Sequence, residues 1–266
     1  MKRWPPLVRR VLFSLLAILL FGIAFIVHRT AEREQAKNEL RKLGVQAGRE
    51  SLLSAVRADW RRVFKRDWWD WQDRIRIMSC AAANLDAYGP ALHRLQPREV
   101  LLGFSNNLKD VSALRGLPDL RRLDFYECPA VANVEIVSEF PNLRELTFNH
   151  SPALRSLSII KSGTKLKSLH ITNCRQLEDI DALRELTSIR SLFLSRCPLI
   201  KNTESFRGLT DLEELDLSDC DQLANVEGLH QLKSLKSVNV RGCRLLTEDS
   251  IEKLLLALPK TKIRYR

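Results

Sequence analysis

The sequence holds no glycine-rich phosphate loop, no H-E-x-x-H pair and no nucleophile-elbow pattern. Nucleotide hydrolysis, zinc-assisted peptide hydrolysis and α/β-hydrolase chemistry each need one of those arrangements. Acid is missing from the first 30 residues, which carry five Lys/Arg and neither Asp nor Glu. Residues 31–75 carry eleven basic against eight acidic residues, and residues 76–266 carry 27 against 24. The net charge of +11 therefore gathers toward the N-terminus. A nucleic-acid binder needs a dense basic face on its folded domain. The long remainder is nearly balanced, so a nucleic-acid partner is not expected.

What the N-terminus does hold is an apolar run. After the basic tail of residues 1–10, Val11 to Val27 gives 17 residues without a charge. As a helix this run spans about 25 Å, the short end of a membrane crossing. Leu7 and Val8 extend it if Arg9 and Arg10 reach back to the headgroups. A cleaved signal peptide would end its apolar region in a small-x-small site. The one candidate, Gly22-Ile23-Ala24, is followed by three more apolar residues. The expectation is an uncleaved anchor over residues 11–28, its helix beginning near 7, with residues 11–27 in the lipid bilayer. A short basic N-tail favours a cytoplasmic N-terminus and an extracytoplasmic C-terminal domain.

Residues 29–73 form a leader. Residues 29–43 are rich in helix formers and end at Gly44, where a helix stops. Ser51 to Phe64 is amphipathic at helical spacing and includes Trp60, and Trp68, Trp69 and Trp71 follow it. A repeat array needs its open end covered, so this leader is expected to form a juxtamembrane helix and a Trp-rich N-terminal cap.

From residue 74 onward a 23-residue step organises the chain. Leu166, Leu169, Ile171 and Cys174 set the frame L-x-x-L-x-L-x-x-C. It recurs at Leu120/Leu123/Phe125/Cys128, Leu143/Leu146/Phe148/Ser151, Ile189/Leu192/Leu194/Cys197, Leu212/Leu215/Leu217/Cys220 and Leu235/Val238/Val240/Cys243. Pro97/Val100/Leu102/Ser105 keeps it with the first place lost, and Ile75/Ile77/Cys80 opens it. Apolar residues follow at the twelfth, fifteenth, eighteenth and twenty-first places. This periodicity predicts an α/β solenoid: a curved leucine-rich-repeat array over residues 74–266, with a parallel β-sheet on its concave face. A C-terminal cap is expected from about residue 245. There Thr247 or Asp249 caps a helix with Ile251, Leu254, Leu255 and Leu258 on one face, and a final strand from Ile263 closes the stack.

Cys80, Cys128, Cys174, Cys197, Cys220 and Cys243 all fall on the ninth place. Stacked strands lie about 4.8 Å apart, whereas a disulfide wants Cβ atoms about 3.8 Å apart. A zinc site needs thiolates converging on one point at about 2.3 Å, which a straight ladder does not supply. The expectation is six reduced structural thiols, with no metal and no cofactor.

These repeats resemble the leucine-rich-repeat superfamily in its cysteine-containing form, over residues 74–266. C-x-x-L replaces the commoner N-x-L after the strand, as in plant resistance receptors, though no P-loop precedes the array. More loosely, the whole plan is similar to short membrane-anchored leucine-rich-repeat proteins of planctomycete-like bacteria. That second resemblance implies no assigned activity. The expectation is a non-catalytic, membrane-anchored protein that binds a protein or peptide partner on its concave face. An assembly subunit docking through the anchor and the Trp-rich leader is the alternative, with an enzyme behind both.

In such an array the third, fifth, seventh and eighth places face outward on the concave side. Tyr126, Asn149, His170, Thr172, Phe193, Ser195 and Arg241 are the candidate partner-binding residues, a mixed face suited to a protein or peptide. Ser195 and His170 stand on adjacent strands, but Asp124 lies two strands beyond His170, about 10 Å away. That is too far for a catalytic triad, so no catalytic residue is assigned and the histidines are expected to be ordinary surface residues. The second place reads Arg98, Arg121, Arg144, Lys167, Arg190, a basic stripe along one rim. Its functional meaning is an acidic partner, an anionic polymer or lipid headgroups; its plainer meaning is a solvated position copied with each repeat. Acids crowd the coil from Asp211 to Asp221. Cross-strand pairing with Arg190, Arg196, Lys236 and Arg244 accounts for them without calcium.

Overall fold

A computed structural model describes residues 6–43, 46–47, 74–78, 85–132, 135–158, 160 and 165–266 of the 266. One sheet of ten strands runs through the molecule in chain order. β1 (Gln46–Ala47) pairs antiparallel with β2 (Arg74–Met78). Eight further strands follow in parallel: β3 (Glu99–Gly103), β4 (Arg122–Tyr126), β5 (Glu145–Asn149), β6 (Ser168–Thr172), β7 (Ser191–Ser195), β8 (Glu214–Asp216), β9 (Ser237–Asn239) and β10 (Lys262–Arg264).

The register follows the sequence period without a slip. The fourth-place residues Ile75, Val100, Leu123, Leu146, Leu169, Leu192, Leu215, Val238 and Ile263 pair in succession. Strand side chains alternate between faces, so the fourth and sixth places point inward and the fifth and seventh outward. Of the inward residues, those from Ile75 to Val240 are buried, and they join the loop leucines in one continuous core.

Five of the far-side turns are short 3₁₀ helices, at Ser112–Leu114, Glu135–Glu139, Asp181–Glu185, Glu204–Phe206 and Glu227–Leu229. A polar residue two places before the helix caps several of them. Asp110, Asp179, Asn202 and Asn225 each accept, on the side-chain oxygen, the backbone N–H two residues on, at 2.7–3.1 Å. The Ser156 hydroxyl accepts from Ser158 in the same way. These residues share the fourteenth place, so each of these five coils is turned by a side chain competing with the backbone for a nearby amide.

The eighth place is left-handed in every coil from Phe104 onward. Phe104, Glu127, His150, Asn173, Arg196 and Asp219 have φ between 51° and 58°, and Gly242 has φ 74°. That bend turns the chain out of the sheet and drives the ninth place inward.

At the N-terminal end, residues expected to form a span and a separate helix belong to one helix, α1 (Pro6–Lys42). Among the described residues no helix is long and apolar enough to cross a membrane. The C-terminal part of α1 lies on α2 (Gly89–Leu95). Ala36 and Leu40 are fully buried there, together with Thr30, Arg33 and Lys37. Arg33 donates to the Leu95 carbonyl at 3.4 Å, and Arg94 pairs with Glu39. The Trp cluster at residues 60–71 and Cys80 lie outside the described residues.

At the other end Thr247 is the cap of α3 (Glu248–Ala257), its hydroxyl accepting from the Ser250 N–H at 3.2 Å. Ile251, Leu254 and Leu258 are buried as the spacing predicts. Leu255 is a correction: it is exposed, as is Leu256, because the buried stripe of α3 is narrow and holds only Ile251 and Leu254.

Candidate recognition face

The outward rows of the sheet form the candidate site. The fifth place runs Leu101, Asp124, Thr147, His170, Phe193, Asp216 and Asn239, each paired with the next. The seventh runs Gly103, Tyr126, Asn149, Thr172 and Ser195. The structure therefore brings six of the seven predicted partner-binding residues onto one surface. Arg241 lies beyond β9, two residues past its end.

Local contacts fix most of these side chains. The rings of His170 and Phe193 stack at 4.3 Å between centroids. His170 also hydrogen-bonds the Ser168 hydroxyl at 2.8 Å. Burial, then the Arg122 guanidinium, lowers the His170 pKa, which favours the neutral ring. This corrects the reading of His170 as an ordinary surface residue: it is half-buried and part of a stack. Ser195 donates to Thr172 at 3.3 Å rather than to His170. Asp124 is buried and takes a hydrogen bond from Arg122 at 2.7 Å. No proton path joins these three groups.

Near β2–β5 the face carries a charged network that the sequence reading missed. Arg74 bonds Glu99 at 2.5 Å, and Arg122 reaches both Asp124 and Glu145, the latter at 3.1 Å. Its signal was present as opposite charges at the third and fifth places of adjacent coils.

Across the strand ends, the exposed rings of Phe104 and Tyr126 meet edge-to-face with centroids 5.4 Å apart. The Phe104 N–H donates to the Tyr126 carbonyl at 2.8 Å, which locks the two residues together.

The second-place stripe is stacked by the backbone. The Arg98 carbonyl accepts from the amides of Arg121 and Arg122, and the pattern repeats at Arg121, Arg144, Lys167 and Arg190, at 2.7–3.1 Å. The side chains fare differently along it. Glu213 takes Arg190 on one side at 4.0 Å and Lys236 on the other. Lys167 donates to the Ser188 carbonyl at 3.1 Å. Among the described residues Arg98, Arg121 and Arg144 make no ion pair.

The acidic coil is paired as its neighbours suggest. Arg196 meets Asp219 at 3.5 Å, and Arg244 meets Asp221 at 3.4 Å. Asp216 accepts from Ser218 and from Asn239 at 2.9 Å. No group of side chains suited to a metal ion occurs among the described residues.

Beneath the face runs the thiol ladder. Cys128, Cys174, Cys197, Cys220 and Cys243 are free and buried. Each donates to the sixth-place carbonyl of the preceding coil, from 3.0 Å at Cys243 to 4.0 Å at Cys174. Burial pushes the thiols of Cys174 and Cys243 up to about 11 and that of Cys220 to about 12. Cys197 is raised too, by burial and then by the thiols on either side. These are neutral thiols at neutral pH, poor nucleophiles and poor metal ligands. Ser151 fills the same place in its coil, and its buried hydroxyl has no partner among the described residues.

Residues 119–247 match the BspA type leucine rich repeat region in six copies. No curated protein matches the chain in sequence. Among solved structures it is similar to internalin C2 of Listeria monocytogenes, at 21% identity and a TM-score of 0.46, over 56% of this chain and 64% of that one. It is also similar to the leucine-rich repeat domain of the type III effector XopL, at 15% identity and a TM-score of 0.49, over 89% of this chain and 88% of that one. A leucine-rich repeat protein of Bacteroides eggerthii matches at 14% identity and a TM-score of 0.32, over 57% and 26% of the two chains. The chain thus covers less than two thirds of the internalin's length.

Proposed function

We propose, from the chain's membership of the leucine-rich-repeat superfamily, that it is a membrane-tethered recognition module that holds a protein or peptide partner on its concave face. The superfamily consists typically of non-enzymatic protein-binding scaffolds. The observation that carries the reading is the pair of in-register rows at the fifth and seventh places. They set polar, aromatic and charged side chains on one stiff sheet. A preorganised mixed surface of this kind binds at little entropic cost. The hydroxyl, imidazole and carboxylate groups on it are spent on local bonds, not aligned toward a reacting atom.

Tethering is part of the proposal. The 17-residue uncharged run at Val11–Val27 lies within the helix whose far end packs on α2. A solenoid held against its own anchor helix would present its face at a set angle to the bilayer. The basic tail before the run favours a cytoplasmic N-terminus and an extracytoplasmic repeat domain.

Photo-crosslinking in the producing cell tests the binding reading. A benzophenone residue at Thr147 or Phe193, on the concave face, should give a discrete protein adduct. The same residue at Asn225, in the far-side turn, should give none. Adducts from Asn225 alone would sink the reading. Reporters active on one side of the membrane, fused after Arg266, decide the orientation separately.

A further inference from the structure

Two features of the N-terminal half of the face remain without an internal use. Arg98, Arg121 and Arg144 stack on successive coils, about 4.8 Å apart, and form no ion pair among the described residues. The carboxylates that could have neutralised them are taken: Glu99 by Arg74, and Asp124 and Glu145 by Arg122. At the opposite end of the same strands stand Phe104 and Tyr126. Phe104 is 46% exposed and Tyr126 39% exposed. Phe104 occupies the left-handed eighth place at φ 51°, a conformation that disfavours residues with a Cβ. The coils of Asn173, Asp219 and Gly242 fill that place with residues that tolerate it better. Burial does not offset the cost for Phe104, since nearly half the residue faces solvent.

We infer that this half of the face binds an acidic peptide segment bearing one aromatic or aliphatic side chain. The Phe104–Tyr126 pair receives the apolar side chain, and the Arg98–Arg121–Arg144 row receives carboxylates of the flanking residues. The inference rests on the recognition reading and names the partner's chemistry within it. Arg121 and Tyr126 bracket β4, about 17 Å apart at strand rise, a distance that five or so extended residues span. Arginine pairs with carboxylate through two parallel hydrogen bonds, and tyrosine and arginine are among the residue types most enriched at binding hot spots. A phosphate polymer fits less well. The row is one residue wide and is backed by Glu99, Asp124 and Glu145 on the sheet, and residues 76–266 carry 24 acids against 27 bases.

The test is fluorescence anisotropy of the full-length chain with a labelled peptide made of a glutamate run followed by one tryptophan. A second peptide carries glutamine in place of glutamate. Three variants are compared with the natural chain: Arg98→Glu/Arg121→Glu/Arg144→Glu on the rim, Phe104→Asn/Tyr126→Ser at the aromatic pair, and Lys109→Glu/Arg155→Glu/Arg175→Glu. The last makes the same charge change at exposed positions off the sheet. Asparagine suits a left-handed backbone, so the aromatic variant keeps its fold, which circular dichroism checks. The expected result is a loss of affinity of about tenfold or more for each of the first two variants. The third should change little, and the glutamate peptide should bind better than its glutamine counterpart. Equal loss in the off-sheet variant, no loss in the aromatic variant, or no preference for glutamate would overturn the inference. So would rim-dependent binding to phosphatidylserine vesicles without peptide binding. An adduct from Thr147 or Phe193 in cells, together with failure of the peptide, would leave the recognition reading standing and remove only this inference. Absence of any concave adduct would remove the reading itself.

Discussion

The two halves of the repeat array share one backbone and differ in what its side chains do. From Leu166 to Cys243 the thiol ladder is unbroken, at Cys174, Cys197, Cys220 and Cys243. Rim and turn charges there are matched between coils, as Arg190–Glu213–Lys236, Arg196–Asp219 and Lys201–Glu178. From Pro97 to Ser158 the ladder alternates Ser105, Cys128 and Ser151, and although Arg115 meets Glu139 at 3.4 Å in the turns, Arg98, Arg121 and Arg144 on the rim form no ion pair among the described residues. One half looks after itself, whereas the other leaves charge and aromatic surface for something else. Repetition alone would have given both halves the same chemistry, and the proposed peptide site falls on the half that departs from it.

Backbone crowding should give the largest contrast. A Cβ at Gly228 would stand 2.0 Å from the Thr203 carbonyl oxygen, whereas one at Gly89 meets nothing closer than 3.6 Å. Gly228→Ala should destabilise the chain by about 3 kcal/mol or more. Gly89→Ala should stay within about 0.5 kcal/mol of the natural chain. Urea midpoints would show whether the C-terminal coils are the less forgiving ones.

The thiol ladder gives the next effect, with opposite signs in the two halves. Cys220→Ala removes a buried group that bonds the Leu194 carbonyl at 3.1 Å, and should cost about 1–2 kcal/mol. Ser151→Cys replaces a buried hydroxyl that lacks a partner, and should gain about 1 kcal/mol. A loss on Ser151→Cys would mean that the coil of Ser151 is shaped for the smaller side chain and the ladder is not transferable.

The same thiols set an alkaline limit. Their folded pKa values are raised above the ordinary 9.0 by burial, to about 11 for Cys174 and Cys243 and about 12 for Cys220. A raised value favours the neutral form in the fold. The stabilisation is therefore complete below pH 9 and is lost as pH rises through the folded values. Above pH 9 each such thiol should withdraw roughly 1 kcal/mol per pH unit. Urea titrations at pH 8 and 10 should show the fall, with a shallower slope in Cys220→Ala. Below pH 9 the thiols should stay inert to Ellman's reagent until the chain unfolds.

The rim gives the smallest effect. Glu213→Gln breaks exposed pairs with Arg190 and Lys236, and should lower the thermal midpoint slightly at low salt and not at high salt. Arg121→Gln breaks no pair and should leave the midpoint where it was. A clear loss with Arg121→Gln would assign that arginine a stabilising partner and erase the difference between the halves.

Much of this was legible in the chain. A period of 23 with leucine at fixed places dictates which side of each strand is buried, so Leu123, Leu169 and Leu215 were placed correctly with their neighbours. The inward turn of Cys174 and its counterparts followed from the same frame, and so did the pairing of the acids around Asp216. Other features depend on contacts that no local pattern encodes. The burial of Arg33, Lys37 and Leu40 requires knowing that α1 returns to lie on α2. The stack that half-buries His170 requires Phe193 at the same place one coil later. Leu255 read as a core residue because its spacing fits a helix stripe, yet the solenoid ends before anything covers it. The free state of Arg98, Arg121 and Arg144 arises because Arg122 and Arg74 win the nearby carboxylates, a competition that only geometry decides.

Amide hydrogen exchange of the full-length chain, with and without the glutamate–tryptophan peptide, bears most directly on the division of the face. The account predicts slower exchange on binding in the strands Glu99–Gly103 and Arg122–Tyr126 and in the turn carrying Phe104. It predicts no change in Glu214–Asp216 or Ser237–Asn239. Protection centred on the two C-terminal strands, or spread evenly along the sheet, would contradict it.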